Sequence, residues 1–264
     1  MKDLGRRLFV SSIVIAIVVV LLLFAKSFPF SYLISVLLAL LGAVAIWEYA
    51  QFAKAKGVQM IVSVLAPLAG IGILSFYPLP WTPLLPILVF FVGFLILFAF
   101  HFRQKEGAIV NLAVSTFGLI YIAVPLGMIL GMLYGSGPGW IAYLLIVTKI
   151  TDIGAYFGGS LWGKRLLAPS ISPKKTVEGA LCGLLCAMAA SLGFLFFARL
   201  SFTEALTLGI LLGVIGQFSD LAESLLKRDA NKKDSNTLPG LGGVLDSIDS
   251  LLFNAPILYV YLHL

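Results

Sequence analysis

The chain is 264 residues long, 60% hydrophobic and only 11% charged, with a mean hydropathy of +1.06 and a net charge of +6. So apolar a composition excludes a soluble globular domain. A surplus of lysine and arginine on a chain of this kind suits anionic headgroups or a polyanionic soluble ligand, and is no argument for nucleic acid.

Apolar runs of about 20 residues, each long enough to cross a hydrocarbon core roughly 30 Å thick as a helix, fall at 8–25, 31–53, 58–76, 82–102, 108–133, 139–159, 176–198, 204–226 and 244–264. The sequence therefore predicts an all-α, polytopic integral membrane protein with about nine transmembrane helices. The fourth and fifth runs are the least regular, because prolines crowd Pro78 to Pro86 and Pro125 interrupts the fifth. Lysine and arginine stay on the cytoplasmic side of a membrane. With the N-terminus inside, fifteen of them are cytoplasmic, only Lys26 and Arg199 fall outside, and Lys149 sits within a span. The first run resembles a signal peptide, with MKDLGRR before it and the small residues Ala25 and Ser27 after it. A retained helix is expected, because the run is long and its removal spoils the charge sorting.

The segment 1–134 is chemically quiet and reads as a scaffold, whereas 135–264 carries the chemistry. In the scaffold Glu48 is the odd residue, read either as an interfacial acid or as part of a site. His101 and His263, at span ends, read as interfacial side chains. Lys149 and Asp152 are spaced i, i+3 on the sixth run, as a structural ion pair or as site residues. The glycines and prolines of GGSLWGKRLLAPSISPKKTVEG break the helix and predict a loop or a shallow re-entrant segment. Thr176 is placed to cap the seventh helix, with Glu178 in its first turn. Small-residue pairs four apart, Gly127/Gly131, Gly154/Gly158, Gly179/Gly183 and Gly209/Gly213, predict close helix packing among the fifth to eighth spans. Cys182 and Cys186 read as small packing residues on one helix.

The stretch 217–250 holds six of the twelve acidic residues, although it joins two apolar spans. A carboxylate at mid-bilayer costs about 2.5–3.5 kcal/mol on insertion scales, so such acids are read as functional. Asp220 with Glu223, and Asp246 with Asp249, are each i, i+3. On the predicted topology Glu48, Asp152, Glu178, Asp220, Glu223, Asp246 and Asp249 share the cytoplasmic half of the membrane and are expected to converge. Crowded carboxylates must be protonated, paired or neutralised by a cation, and oxygen-only donors point to magnesium. Lysines beside a metal are what phosphoryl or nucleotidyl transfer requires. Pro239 to Gly243, PGLGG, reads either as a plain turn or as backbone amides that cradle an anion at a helix N-terminus. The G-x-x-x-x-G-K run ending at Lys164 is no P-loop, since Arg165 stands where Ser or Thr is needed and no strand precedes it.

SLLKRDANKKDSNTLPGLGGVLDSIDS resembles the C-terminal signature of the phosphatidate cytidylyltransferase (CDP-diacylglycerol synthase) family, at Ser224, Lys227, Arg228, Lys233, Asp234, Pro239, Gly240, Gly242, Gly243, Asp246 and Asp249. DIGAYFGGSLWGKRLLAPSISPKKTVEG is similar to that family's upstream block, including Asp152, Tyr156, Lys164, Ser172, Lys175, Thr176 and Glu178. The chain departs from the pattern at Leu241, where histidine is usual, at Ser247, where arginine is usual, and in a loop from Asp234 to Pro239 one residue short. The resemblance implies transfer of CMP from CTP to phosphatidic acid with Mg2+, in the inner (plasma) membrane, at a site facing the cytoplasm. It assigns Asp220, Asp246 and Asp249 to the metal, with Glu223 and Asp152 supporting them. Catalytic work falls to these three aspartates and Lys227. Arg228, Lys233, Lys164 and Lys175 would meet phosphates, and Asp234, Ser172, Thr176, Gly242 and Gly243 would line the substrate site. A homodimer is allowed but not required. Alternatives are a CTP-dependent transferase or kinase acting on another lipid, of the polyprenol type, and an ion-coupled transporter. A transporter is disfavoured because its charges belong near the midplane, often in repeated halves.

Overall fold

The computed structural model describes residues 16–77, 84–102, 106–232 and 243–264. In chain order they form α1 (16–23), α2 (Phe30–Ala55), α3 (Val62–Leu74), α4 (Leu85–His101), α5 (Ala108–Gly118), a π turn (Leu119–Ala123), α6 (Val124–Gly135), α7 (Pro138–Trp162), β1 (Leu166–Ala168), β2 (Ser172–Thr176), α8 (Val177–Gly193), α9 (Leu195–Ala198), α10 (Phe202–Asp229) and α11 (Val244–His263). Among the described residues, four continuous helices are long and apolar enough to cross a membrane: α2, the run Ala108–Gly135, α7 and α10. The apolar helices α3, α4 and α8 are shorter. The protein is an all-α membrane protein, a solution forced by lipid, where every backbone N–H and C=O must be satisfied within its own segment. Ile87, Leu88 and Phe91 of α4 are exposed, as a lipid-facing helix requires.

Pro125 does not interrupt its helix. A proline cannot donate to the carbonyl four residues back and its ring crowds that carbonyl. The chain accommodates both effects by widening into the π turn directly before it, so that Ala108–Gly135 stays continuous.

The chain divides into two compact units, one of Met1–Pro138 with Ala230–Ser247 and one of Gly139–Asp229 with Ile248–Leu264. In the first, α2 packs on α3 where Gly42 leaves room for Ile73, and Gly118 leaves room for Tyr49. His101 is buried in this unit, its Nδ1 2.8 Å from the Leu97 carbonyl, so the interfacial reading fails for it. His263 is exposed.

In the second unit glycines set the helix spacing. Gly154 and Gly158 of α7 receive Cys186 and Cys182 of α8. A methyl group on Gly179 would stand 2.7 Å from the Ala155 carbonyl oxygen, and one on Gly183 2.9 Å from that of Thr151. On the other side of α8, Gly209 and Gly213 of α10 close on Met188 and Ala187. α8 is therefore held between α7 and α10 by the predicted small-residue stripes. The stripe at Gly127 packs against the Phe76 ring instead. A buried hydroxyl chain, Tyr143 to Ser191 at 2.7 Å and Ser191 to the Ala205 carbonyl at 2.5 Å, joins the same three helices.

The segment expected as a loop or re-entrant stretch is an antiparallel β-hairpin, with Leu166 opposite Thr176 and Ala168 opposite Ser172. Pro169 lies in its turn and Pro173 on a two-stranded ribbon, where part of the backbone has no ladder partner. Prolines that break a helix are tolerated at such an edge.

Candidate active site

A cavity of about 410 Å³ opens in the second unit between α7, the hairpin, the first turn of α8, and α10. That size suits a small-molecule site. α7 contributes Asp152, Tyr156 and Ser160; β2 contributes Ser172, Lys174, Lys175 and Thr176; α10 contributes Gln217 and Asp220.

Local chemistry fixes each wall. Thr176 caps α8 as predicted, its Oγ1 accepting from Gly179 N at 3.1 Å. The Glu178 carboxylate accepts from Lys164 N at 3.0 Å and Arg165 N at 3.1 Å, which fastens the base of the hairpin to the start of α8. Gln217 donates through Nε2 to the Ala180 carbonyl at 3.2 Å and the Gly213 carbonyl at 3.0 Å, joining α10 to α8. At the hairpin turn, Arg228 Nε donates to the Ile171 carbonyl at 3.1 Å.

Three of the acids are paired with lysines. Lys175 Nζ lies 2.7 Å from Asp220 Oδ2, but off the line that a hydrogen bond needs. Asp152 accepts from Lys149 at 3.5 Å and from Ser250 Oγ at 3.3 Å. Asp249 is buried on α11, its carbonyl accepting from Ser219 Oγ at 2.5 Å, and its carboxylate is close enough to Asp220 and Asp152 to feel both charges. Glu223, fully buried, is paired with Lys227 one turn later.

The first unit holds the start of α11. Gly243 N donates to Asp246 Oδ2 at 2.9 Å, and Ser247 Oγ donates to the Gly243 carbonyl at 2.8 Å. Val244 N and Leu245 N donate to the two carboxylate oxygens of Glu48, at 2.8 and 2.7 Å. Glu48 is therefore not an interfacial acid: it is 1% exposed and caps a helix. Of the two readings of PGLGG, plain turn or anion cradle, the described part shows only that the amides of Gly243, Val244 and Leu245 already serve carboxylates; Pro239 to Gly242 lie outside the described residues. Lys233, Asp234, Leu241 and Gly242 lie outside the described residues.

Of the predicted residues, the cavity gathers Asp152, Asp220, Lys175, Ser172 and Thr176, with Asp249 behind them. Lys164 is exposed and does not line it, Arg228 clasps the hairpin turn, and Lys227 serves Glu223. Among the described residues no three metal-ligating side chains come together closely enough to hold an ion by themselves. Sequence reasoning missed Gln217, Ser160, Ser219 and Ser250, neutral polar residues. The spacing of Gln217, three before Asp220 on one helix face, was the available signal.

Comparison with known proteins supplies a family. The model of the "Cytidylyltransferase family" matches residues 5–264. A protein of Chlamydia pneumoniae named phosphatidate cytidylyltransferase is 34% identical over 293 aligned residues, which cover 98% of this chain and 92% of its own. One of the same name from Bacillus subtilis (strain 168) is 34% identical over 275 residues, covering 100% of this chain and 99% of its own. Another, from Staphylococcus haemolyticus (strain JCSC1435), is 43% identical over 130 residues, 48% of this chain and 50% of its own.

Proposed function

The chain belongs to the cytidylyltransferase family, and from that premise we infer that it transfers the cytidylyl group of CTP to phosphatidic acid, forming CDP-diacylglycerol and releasing pyrophosphate. One observation supports a phosphate site in the cavity above the others. The Lys175 ammonium is buried at the cavity wall and makes no hydrogen bond among the described residues. Its charge is answered by Asp220 at 2.7 Å, but its N–H donors are left without an acceptor. Buried donors in that state are costly until an acceptor arrives, and the oxygens of a triphosphate or a lipid phosphate supply one.

In the reaction, an oxygen of the lipid phosphate attacks the α-phosphorus of CTP, a new P–O bond forms, and the bond to the bridging oxygen breaks as pyrophosphate leaves. The attacking phosphate is already ionised at neutral pH, so no strong base is needed. Lys174 and Lys175 neutralise phosphate oxygens. The hydroxyls of Ser172 and Thr176 orient them, Thr176 still having its own proton to donate while it caps α8. Asp220 and Lys149 keep the cluster near neutrality before substrate enters.

Magnesium fits the donor set. It commonly takes one or two carboxylates together with substrate phosphates and water rather than a full protein cage, and Asp220, Asp152 and Asp249 offer oxygen ligands without histidine or cysteine. When bound it would supply charge stabilisation at the phosphates. We further propose nine spans with a cytoplasmic N-terminus, in the plasma membrane, so that the cavity meets cytosolic CTP and inner-leaflet lipid. The homodimer stays a proposal that light scattering of the detergent complex decides.

The test is product analysis. Purified protein in detergent, given CTP labelled in the α-phosphate, should convert phosphatidic acid to CDP-diacylglycerol with one pyrophosphate per turnover, and only with magnesium. Release of CDP with phosphorylation of a lipid alcohol would replace this reading by a lipid kinase. No lipid product at all would refute it.

A further inference from the structure

We infer that Glu48 is a positioning residue that sets the start and rotation of α11, and with them the direction of its acid pair. Its consequence for turnover rests on the cytidylyltransferase reading. The placement is visible without it.

α2 is an apolar helix, and a carboxylate 1% exposed on it needs strong compensation. Glu48 finds it 196 and 197 positions later, where each of its oxygens accepts one backbone N–H, from Val244 at 2.8 Å and from Leu245 at 2.7 Å. The first N–H groups of any helix have no partner inside it. They are normally served by the residue just before the helix. That residue here is Gly243, which has no side chain, so the cap comes from α2. Asp246 completes it by accepting from Gly243 N at 2.9 Å. Three successive amides are thus satisfied by two carboxylates, at the helix end where negative charge is favoured.

A side chain fixed to two particular amides fixes where the helix begins. Successive helical residues are turned by about 100°, so a slip of one residue would swing Asp246 and Asp249 away from their present direction. Glu48 need not touch substrate to matter.

The test uses Glu48→Gln, which keeps one acceptor oxygen, and Glu48→Ala, which keeps none. Each is purified whole in detergent beside the wild type. Hydrogen–deuterium exchange over 243–249 should accelerate roughly tenfold in Glu48→Gln and more in Glu48→Ala, the scale of a lost helix cap. The kcat should fall roughly tenfold or more, while KM for CTP moves by less than about threefold, because binding is not what was removed. If Glu48→Ala does not fold, Glu48→Gln carries the test. Unchanged exchange overturns the inference, as does fast exchange with full kcat. A wild type that makes no CDP-diacylglycerol would sink the functional reading, yet the exchange experiment would still decide whether Glu48 holds α11.

Discussion

Lys175 and Asp220 form an ion pair whose two side chains are 27% and 34% exposed, so its worth to stability is small, roughly 1 kcal/mol or less. Its worth to turnover should be far larger, since charge aimed at a reacting phosphate is worth about 10²-fold or more in rate. Lys175→Met and Asp220→Asn are therefore expected to melt close to the wild type in detergent while kcat drops by roughly that factor. A parallel loss of melting temperature and activity would make the pair a structural brace. Asp246→Asn separates two other roles. The amide oxygen still accepts from Gly243 N, so the helix cap survives, but the negative charge is gone. Turnover should fall with little change in exchange over 243–249, and retained turnover would leave Asp246 a cap alone. Asp152 and Asp220 stood out in the sequence because a charge in an apolar span demands a reason, and Lys175 because it lies on a lysine-rich loop that resembles the family's upstream block. Gln217, Ser160, Ser219 and Ser250 were not, since a neutral polar side chain in a helix is too cheap to stand out. Glu48 was visible as an oddity, but its partner lies 196 positions away, and nothing local announces a cap delivered from another helix.

At the scale of elements, the cavity depends on how closely α8 can approach α7. Gly179 sits at that approach, with the Ala155 carbonyl 2.7 Å from where a methyl would go and Gly159 Cα 3.0 Å away. Backbone atoms cannot swing aside as a side-chain tip can. Gly179→Val should therefore push the helices apart at a cost of about 1–3 kcal/mol and abolish activity. Gly193→Ala, at a position with nothing within 4 Å, should leave both melting temperature and turnover unaltered. Equal effects from the two would mean that glycine acts through chain flexibility and not through close contact. These stripes were readable from spacing alone, because helical geometry converts a four-residue interval into one face. The hairpin was not. Its strands, Leu166–Ala168 and Ser172–Thr176, are short and carry no clear alternation of apolar and polar residues, and Pro169 and Pro173 argue locally against any regular structure. Pairing between the strands, which no single strand reveals, decides the outcome.

At the scale of the whole molecule, length and hydropathy explain why the chain enters a membrane, but they do not orient it. α2, Ala108–Gly135, α7 and α10 are long enough to cross unaided, whereas α3 at 13 residues and α8 at 17 are short for a hydrocarbon core about 30 Å thick. Short helices are accommodated by local thinning of the bilayer and by interfacial side chains. The orientation rests instead on lysine and arginine, whose cost of transfer keeps them on the cytoplasmic side. Lys164, Arg165, Lys174, Lys175, Lys227 and Arg228 all border the cavity's helices and hairpin. They should therefore share one side with the N-terminus and with CTP, and an odd number of crossings should leave Leu264 on the other. Reporter fusions after Arg165, Asp229 and Leu264 are expected to read cytoplasmic, cytoplasmic and external in turn. A cytoplasmic reporter at Leu264 would break the count of nine, and an external one after Arg165 would put the cavity on the side that CTP does not reach.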